Sequence, residues 1–281
     1  MPWGSAPSAV AGFAAGSAPH VMRFSANLSF LFKEVPFAKR FARARDAGFE
    51  GVEFMWPGSD EVPGVEQAVA ENGLEVALFN FDAGDMAAGD RGLLSDPDRQ
   101  HAFRENVPVA LELADELGCV RLNALVGLRL PEIELEAQLE LARQNVAWAA
   151  EQAQAQGASI MIEAVNKYEN GPYLLDTTAK AVNFLDTVGA DNVALQYDVY
   201  HMQRMEGNLS DTISRLQSRI GHVQIADPPA RGEPGTGEIN YRYILDLLER
   251  IGYAGWVGLE YNPSTATTEE SLVWMRELGY A

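Results

Sequence analysis

From Arg23 onward, short runs dominated by apolar and β-branched residues alternate with longer stretches whose apolar positions recur at helical spacing, and eight such pairs fit along the chain. The short runs are RFSANLSF, GVEFMW, EVALFNF, CVRLNALVG, ASIMIEAV, VALQYDVYH, IGHVQIAD and GWVGLEYN, each predicted to be a strand. The stretches between them carry helix signals. Asp96 followed by Pro97 predicts a cap and a first helical residue, and Thr267 with Glu270 predicts a capping box. Ile244, Leu247, Leu248 and Ile251 mark one apolar face. Gly48, Gly73, Gly118, Gly157 and Gly252 fall where helices should end, just before the next strand. Eight strand-then-helix units predict an α/β protein built as a single (β/α)8 TIM barrel over residues 22–281. An open doubly wound sheet fits less well, because no Gly-rich dinucleotide fingerprint follows the first strand.

The alternation inside the later strands says more than their number. A barrel strand points alternate side chains at the helix layer and at the barrel interior. In the fifth strand Ile160 and Ile162 then face outward, with Ser159, Met161 and Glu163 inward. In the sixth, Val193, Leu195 and Tyr197 form the outer set and Ala194, Gln196 and Asp198 the inner. In the seventh, Val223 and Ile225 lie outside, with His222, Gln224 and Ala226 inside. In the eighth, Val257 and Leu259 lie outside, with Trp256, Gly258 and Glu260 inside. Consecutive strands thus each deliver one oxygen-bearing side chain to the same mouth: Glu163, Asp198, Gln224 and Glu260.

Carboxylates converging in this way repel one another, so they take up protons or bind a cation. An all-oxygen set of three carboxylates and an amide suits a divalent metal ion, Mg²⁺ or Mn²⁺, better than zinc. The competing reading is a buried polar network closed by Arg and Lys partners. A divalent ion here would chelate the carbonyl and neighbouring hydroxyl of an α-hydroxycarbonyl compound and acidify the C–H between them. Glu163 and Glu260 face each other across a small substrate in this arrangement. That pairing permits removal and return of a proton at adjacent carbons, an aldose–ketose type isomerisation, or epimerisation at one carbon. In the loops beyond the strand ends lie His201, which can polarise a substrate oxygen, Glu169, and Arg231, which can pair with a substrate carboxylate. Lys167 is a second candidate cation. His20 and His101 are uninformative, and His222 reads as an inward residue beneath Gln224. Glu53 and Arg121 also point inward, and they read as an internal ion pair.

Composition narrows the partners. The net charge of −19 over 281 residues disfavours nucleic acid and anionic membrane surfaces. It also counts, together with only four histidines, against a His-rich multi-metal endonuclease. The single cysteine, Cys119, excludes an internal disulfide and any CxxC zinc site, and fits a reducing compartment. No run is long enough to span a bilayer. Residues 1–21, rich in Ala, Gly, Ser and Pro, read as a flexible N-terminal extension without a targeting signal.

The segments FSANLSFLF, GVEFMWP, AGDMAAGDRG, LVG, IEAVN, QYDVYHMQRMEGNL, GHVQIADPPARGEPGTGEINY and GWVGLEYNPS together resemble the hydroxypyruvate isomerase family of the xylose-isomerase-like barrel superfamily. The resemblance covers nearly everything after Met22. It implies interconversion of hydroxypyruvate and tartronate semialdehyde in glyoxylate metabolism, usually in the cytoplasm. It makes Glu163 and Glu260 catalytic glutamates and metal ligands, completes the metal shell with Asp198 and Gln224, and places His201, Glu169 and Arg231 near the substrate. Ketose 3-epimerases of the superfamily typically carry a histidine where this chain has Gln224, which counts against a pure sugar epimerase. Relatives acting on 2-oxo-tetronates share the framework, so the resemblance leaves that substrate open. Related barrels pair through their mouth-side loops, and a homo-oligomer is compatible with the resemblance.

Overall fold

The structure, a computed structural model, describes residues 22–280; the extension expected over residues 1–21 lies outside the described residues. The strands are β1 (Arg23–Asn27), β2 (Gly51–Phe54), β3 (Glu75–Asn80), β4 (Arg121–Asn123), β5 (Ser159–Glu163), β6 (Val193–Asp198), β7 (Ile220–Ile225) and β8 (Trp256–Leu259). Each falls inside one of the predicted runs. They pair in parallel, in sequence order, and the sheet closes by pairing β8 to β1, with Arg23 opposite Trp256 and Ala26 opposite Leu259. Helices occupy every connection, so the architecture is the closed (β/α)8 barrel the alternation predicts.

The two faces of each strand explain the closure. Val52, Ile160, Ile162, Leu195, Val223, Val257 and Leu259 are fully buried between sheet and helices, and burial of each such side chain contributes about 1.5–3 kcal/mol. The helix Tyr241–Arg250 supplies the matching face with Ile244, Leu245, Leu247 and Leu248. Thr267 caps the helix Thr268–Ser271 by accepting from the Glu270 N–H. One helix starts later than its sequence signal. Asp96 accepts from the Asp98 N–H at 2.9 Å and its carbonyl accepts from Arg99 at 3.1 Å, so Asp96 closes a turn and the helix proper runs from Gln100 to Glu116.

Inside, the barrel is layered. At its N-terminal end a cavity of about 630 Å³ is lined by Arg121, Ser159, Met161, Gly221 and Tyr253 among others, away from the strand ends that carry the carboxylates. Above it sits Glu53, with no exposure to solvent. Its carboxylate accepts from Ser25 Oγ at 2.8 Å, Asn27 Nδ2 at 3.2 Å and Gln224 Nε2 at 2.7 Å, and lies 2.9 Å from His222 Nε2. Gly258 has to be glycine here, because a Cβ would fall 2.3 Å from Glu53 Oε1. The expected Glu53–Arg121 ion pair does not form. Arg121 stands at the floor, level with Ser159, and donates through Nε to the Gly221 carbonyl at 3.0 Å, whereas Glu53 sits level with Asn27. His222 lies inward as expected. Among the described residues no helix is long and apolar enough to cross a membrane.

An amide in place of the Glu53 carboxyl can keep the oxygen that accepts from Asn27 and Gln224, but its N–H groups then face the Ser25 hydroxyl and the His222 ring, both of which must turn from donor to acceptor. Glu53→Gln should destabilise the protein by about 1–3 kcal/mol. Urea unfolding measures this, and an unchanged midpoint would show that the hub contributes nothing net.

Candidate active site

Each functional side chain is placed by the end of a strand. Glu163 closes β5, and its Oε2 accepts from Asn123 Nδ2 at 2.9 Å and from Gln196 Nε2 at 3.1 Å, leaving Oε1 toward the mouth. Asp198 ends β6 and caps the helix Val199–Met205: Oδ1 accepts from the Tyr200 and His201 N–H groups at 2.7 and 3.2 Å. Its Oδ2 is buried and has no hydrogen-bond partner among the described residues. Gln224 donates to Glu53 and, at 3.3 Å, to Glu260 Oε1, while accepting from Gln196 at 2.6 Å. Glu260 lies just past β8; Asn27 donates to its Oε1 at 3.0 Å and Arg231 to its Oε2. The four oxygen-bearing residues singled out by strand phase therefore do face one mouth, linked by amides.

His201 is buried in the same cluster, with Nε2 3.7 Å from Glu163 Oε1 and 3.5 Å from Asp198 Oδ2. Glu163, Asp198 and His201 each offer one ligand atom, all within 4.8 Å of one another, a grouping that can hold a metal ion. The unpartnered Asp198 oxygen and the acidic donor set fit a divalent cation. Arg231 reaches across from the loop after β7. Its guanidinium pairs with Glu260, lies 3.6 Å from Asp198 Oδ2, and sits over the Phe30 and Tyr200 rings at 4.6 and 5.2 Å. The backbone of Arg231 is left-handed, with φ of 56°. Asp227 stabilises this loop by accepting from Gly235, Gly237 and Ile239 N–H groups at 2.9, 2.9 and 3.0 Å, and Asn262 donates to the Arg231 carbonyl at 2.7 Å.

Glu169 stands in an outer ring. Tyr200 Oη and Arg204 donate to it at 2.6 and 2.7 Å, and Asn166 at 3.1 Å. Lys167 lies 3.7 Å from Asp176, which also pairs with Lys180. Sequence reasoning passed over Asn27 and Asn123, although both occupy inward positions of the same alternation. It also passed over Asn166, for which no periodic signal exists.

Burial dominates the electrostatics. It pushes Glu163 well above the usual carboxylate range, helped by the neighbouring Glu260 and Asp198 charges. Glu260 rises to about 8 and Asp198 to about 6 for the same primary reason, with Arg231 opposing in both. Burial, then the Arg231 and Arg204 charges, push His201 well below its ordinary value, so its ring is neutral. Burial disfavours the charge on Arg231, but Glu260, Asp198 and Glu163 outweigh that and hold it protonated. A mouth with closely spaced carboxylates, one proton acceptor poised near neutrality and a buried arginine suits proton transfer on a small anionic substrate.

A family model described as xylose isomerase-like TIM barrel matches residues 41–278. The chain belongs to that family. It is 44% identical over 255 residues to the hydroxypyruvate isomerase of Escherichia coli, covering 91% of this chain and 98% of that protein. It is 40% identical to a 2-oxo-tetronate isomerase of Pectobacterium atrosepticum, covering 90% and 96%. A solved structure from Brucella melitensis, described as AP endonuclease, family 2, is 39% identical and superposes with a TM-score of 0.87 over 91% of this chain and 98% of that one. The chain is an enzyme of the hydroxypyruvate isomerase type.

The raised carboxylates predict a pH dependence. Glu260 holds its proton more tightly folded than unfolded, so in the metal-free protein its contribution to stability is complete below about pH 4.5 and lost as pH rises through about 8. Melting temperatures in a chelator should fall across that window, and saturating Mg²⁺, which favours the ionised forms, should flatten the fall. A slope that the cation leaves unchanged would mean these carboxylates are not its ligands.

Proposed function

We propose that the chain interconverts hydroxypyruvate and tartronate semialdehyde (2-hydroxy-3-oxopropanoate) by proton transfer between adjacent carbons. The observation that carries this reading is the pair of buried glutamates, Glu163 from β5 and Glu260 beyond β8, which share one mouth with an arginine between them and solvent. A divalent cation, Mg²⁺ or Mn²⁺, held by Glu163, Asp198, Glu260 and the Gln224 amide oxygen, would supply polarisation of the substrate carbonyl and its neighbouring hydroxyl. Arg231 binds the substrate carboxylate, a bidentate fit that a point charge would not give. One glutamate, ionised, removes a proton from the hydroxymethyl carbon C3. The other, protonated, returns a proton to C2, and the glutamates exchange protonation states in the reverse direction. Between the two carbon steps the C3 hydroxyl proton passes to the C2 oxygen, leaving C3 as the aldehyde and C2 as the alcohol, and His201 donates a hydrogen bond to the oxygen on which charge develops. Phe30 and Tyr200, packed on Arg231, keep water from the guanidinium.

The 2-oxo-tetronate relative at 40% identity favours a second reading, isomerisation of a four-carbon acid at the same site. Arg231 serves either acid, because both present a carboxylate. A neutral ketose offers it nothing, which ranks a ketose 3-epimerase lower. The net charge of −19 argues against action on DNA.

Purified protein in D₂O with Mg²⁺ or Mn²⁺, offered hydroxypyruvate, a 2-oxo-tetronate and fructose separately, should convert hydroxypyruvate and incorporate deuterium, read by proton NMR and stopped by a chelator. Turnover of the tetronate alone would transfer the assignment to the second reading, and silence on all three would end it. Glu163→Gln and Glu260→Gln should each lower kcat by at least about 10²-fold. Glu163→Gln keeps the oxygen that Asn123 and Gln196 need and should leave thermal stability at neutral pH nearly unchanged, whereas Glu260→Gln sets an amide N–H against Arg231 or against Asn27 and Gln224 and should lower it; near-wild-type rates in either variant would remove that residue from the reaction. Arg231→Ala should raise KM for the acid substrate by roughly tenfold or more, the loss of one charge-assisted contact, with little effect on a neutral ketose. Equal effects on both would reject the carboxylate contact.

A further inference from the structure

Glu163, Asp198 and His201 lie close enough together for all three to ligate one ion. Whether His201 can do so depends on which of its ring nitrogens carries the proton, and that is decided on the far side of the ring. Nε2 faces the two carboxylates; Nδ1 lies 2.7 Å from Asn166 Nδ2. Asn166 is fully buried and caps the short helix Lys167–Asn170.

The orientation of the Asn166 amide is set twice by Glu169. The Glu169 N–H donates to Asn166 Oδ1 at 3.2 Å, and Asn166 Nδ2 donates to Glu169 Oε2 at 3.1 Å. Turning the amide over would set N–H against N–H and oxygen against oxygen. Glu169 is itself held by Tyr200 and Arg204. With Oδ1 committed to the cap, the second Nδ2 hydrogen points at His201 Nδ1, which must then be a bare acceptor. A neutral imidazole with an unprotonated Nδ1 carries its hydrogen on Nε2.

We propose that Asn166, clamped by Glu169, is a positioning residue that locks His201 in the Nε2–H tautomer, making His201 a hydrogen-bond donor to the reacting substrate oxygen instead of a metal ligand. This rests on the isomerase reading of the site for the identity of that oxygen, but not for the tautomer. A nitrogen that carries hydrogen has no lone pair for a cation, so the ion is left to oxygen ligands. The donor stands between Glu163 Oε1 and Asp198 Oδ2 at 3.7 and 3.5 Å, longer than a good hydrogen bond to either, and so is available to a third oxygen placed there. Metal-bound histidines usually show the opposite arrangement, with the remote N–H donated to a carboxylate or carbonyl. Here the remote partner is itself a donor.

Long-range ¹H–¹⁵N correlation spectra of the full-length protein test this directly, with His201 assigned by the signals lost in His201→Gln. In the metal-free protein Nδ1 should show the shift of an unprotonated ring nitrogen and Nε2 that of a protonated one, and saturating Mg²⁺ alone should leave both in place. A protonated Nδ1, or loss of the Nε2 hydrogen on adding Mg²⁺, would overturn the proposal. Asn166→Asp keeps the helix cap but turns an acceptor toward Nδ1, and should move the hydrogen there. With hydroxypyruvate it should lower kcat by about 10²-fold, the effect of losing one oriented donor, with a smaller change in KM. Asn166→Ser, which retains a capping oxygen without reaching His201, should leave the fold intact and show a mixture of tautomers. An unchanged tautomer in both variants would reject the lock. Should no hydroxy-keto acid turn over while the wild-type spectra show the expected nitrogen, the isomerase reading fails and the lock stands; turnover with a protonated Nδ1 is the reverse.

Discussion

Amide and carboxylate side chains are chained around the inside of the barrel, and the arrangement of the mouth depends on that chain of hydrogen bonds. Asn123 donates to Glu163, Gln196 joins Glu163 to Gln224, and Gln224 and Asn27 each bridge Glu53 and Glu260. A primary amide has two hydrogens to give, so one neutral group can satisfy oxygens on two anions and hold them at a set separation without adding charge. A lysine or arginine at those positions would also have quenched the anions, but would have consumed the very charge the mouth needs. The network differs from the one expected as the alternative to a metal site, since amides close it where Arg and Lys partners were expected, and these amides occupy only the inner oxygens. The outer ones, Glu163 Oε1 and Asp198 Oδ2 among them, are left toward the mouth.

That division explains why the site combines stability with a proton affinity near neutrality. Burial raises the carboxylates; Arg231 opposes it at each of them, joined by the Asn123 amide at Glu163 and by the His201 and Tyr200 N–H groups at Asp198. A single guanidinium cannot neutralise every carboxylate in the mouth, so the remainder bind protons or a cation according to pH and supply. Arg231 stays charged throughout, and its strained backbone is held in place by a loop whose N–H groups converge on Asp227. The loop, not the strand, therefore sets how far the cation reaches over the carboxylates.

Strand phase made the barrel and four of its mouth residues legible because alternation in a parallel barrel is enforced by an apolar layer on the outside. A residue between Ile160 and Ile162 has only the interior left to it. The same logic reaches Asn27 and Asn123, whose importance shows only when the carboxylates they serve have been located. Alternation gives the face of a residue but not its height, which is why Glu53 and Arg121, both inward, end at different levels and never pair. Loop residues escape periodicity altogether. Asn166 owes its place to a cap formed after a strand end, and its contact with His201 spans 35 residues. Asp96 shows a local signal satisfied by a local structure, a turn, one step ahead of the helix it seemed to announce.

The bond from Asn27 to Glu260 joins residues 233 positions apart, across the seam where β1 meets β8. Neither strand alone carries a finished mouth, and the last carboxylate finds its inner partner only when the ends of the barrel have met. The entropic cost of bringing two partners together grows, slowly, with the length of chain between them, and this contact spans most of the chain. Catalytic competence is therefore coupled to circular closure itself: until β8 lies against β1, Glu260 lacks the Asn27 amide that holds its inner oxygen and the mouth is incomplete.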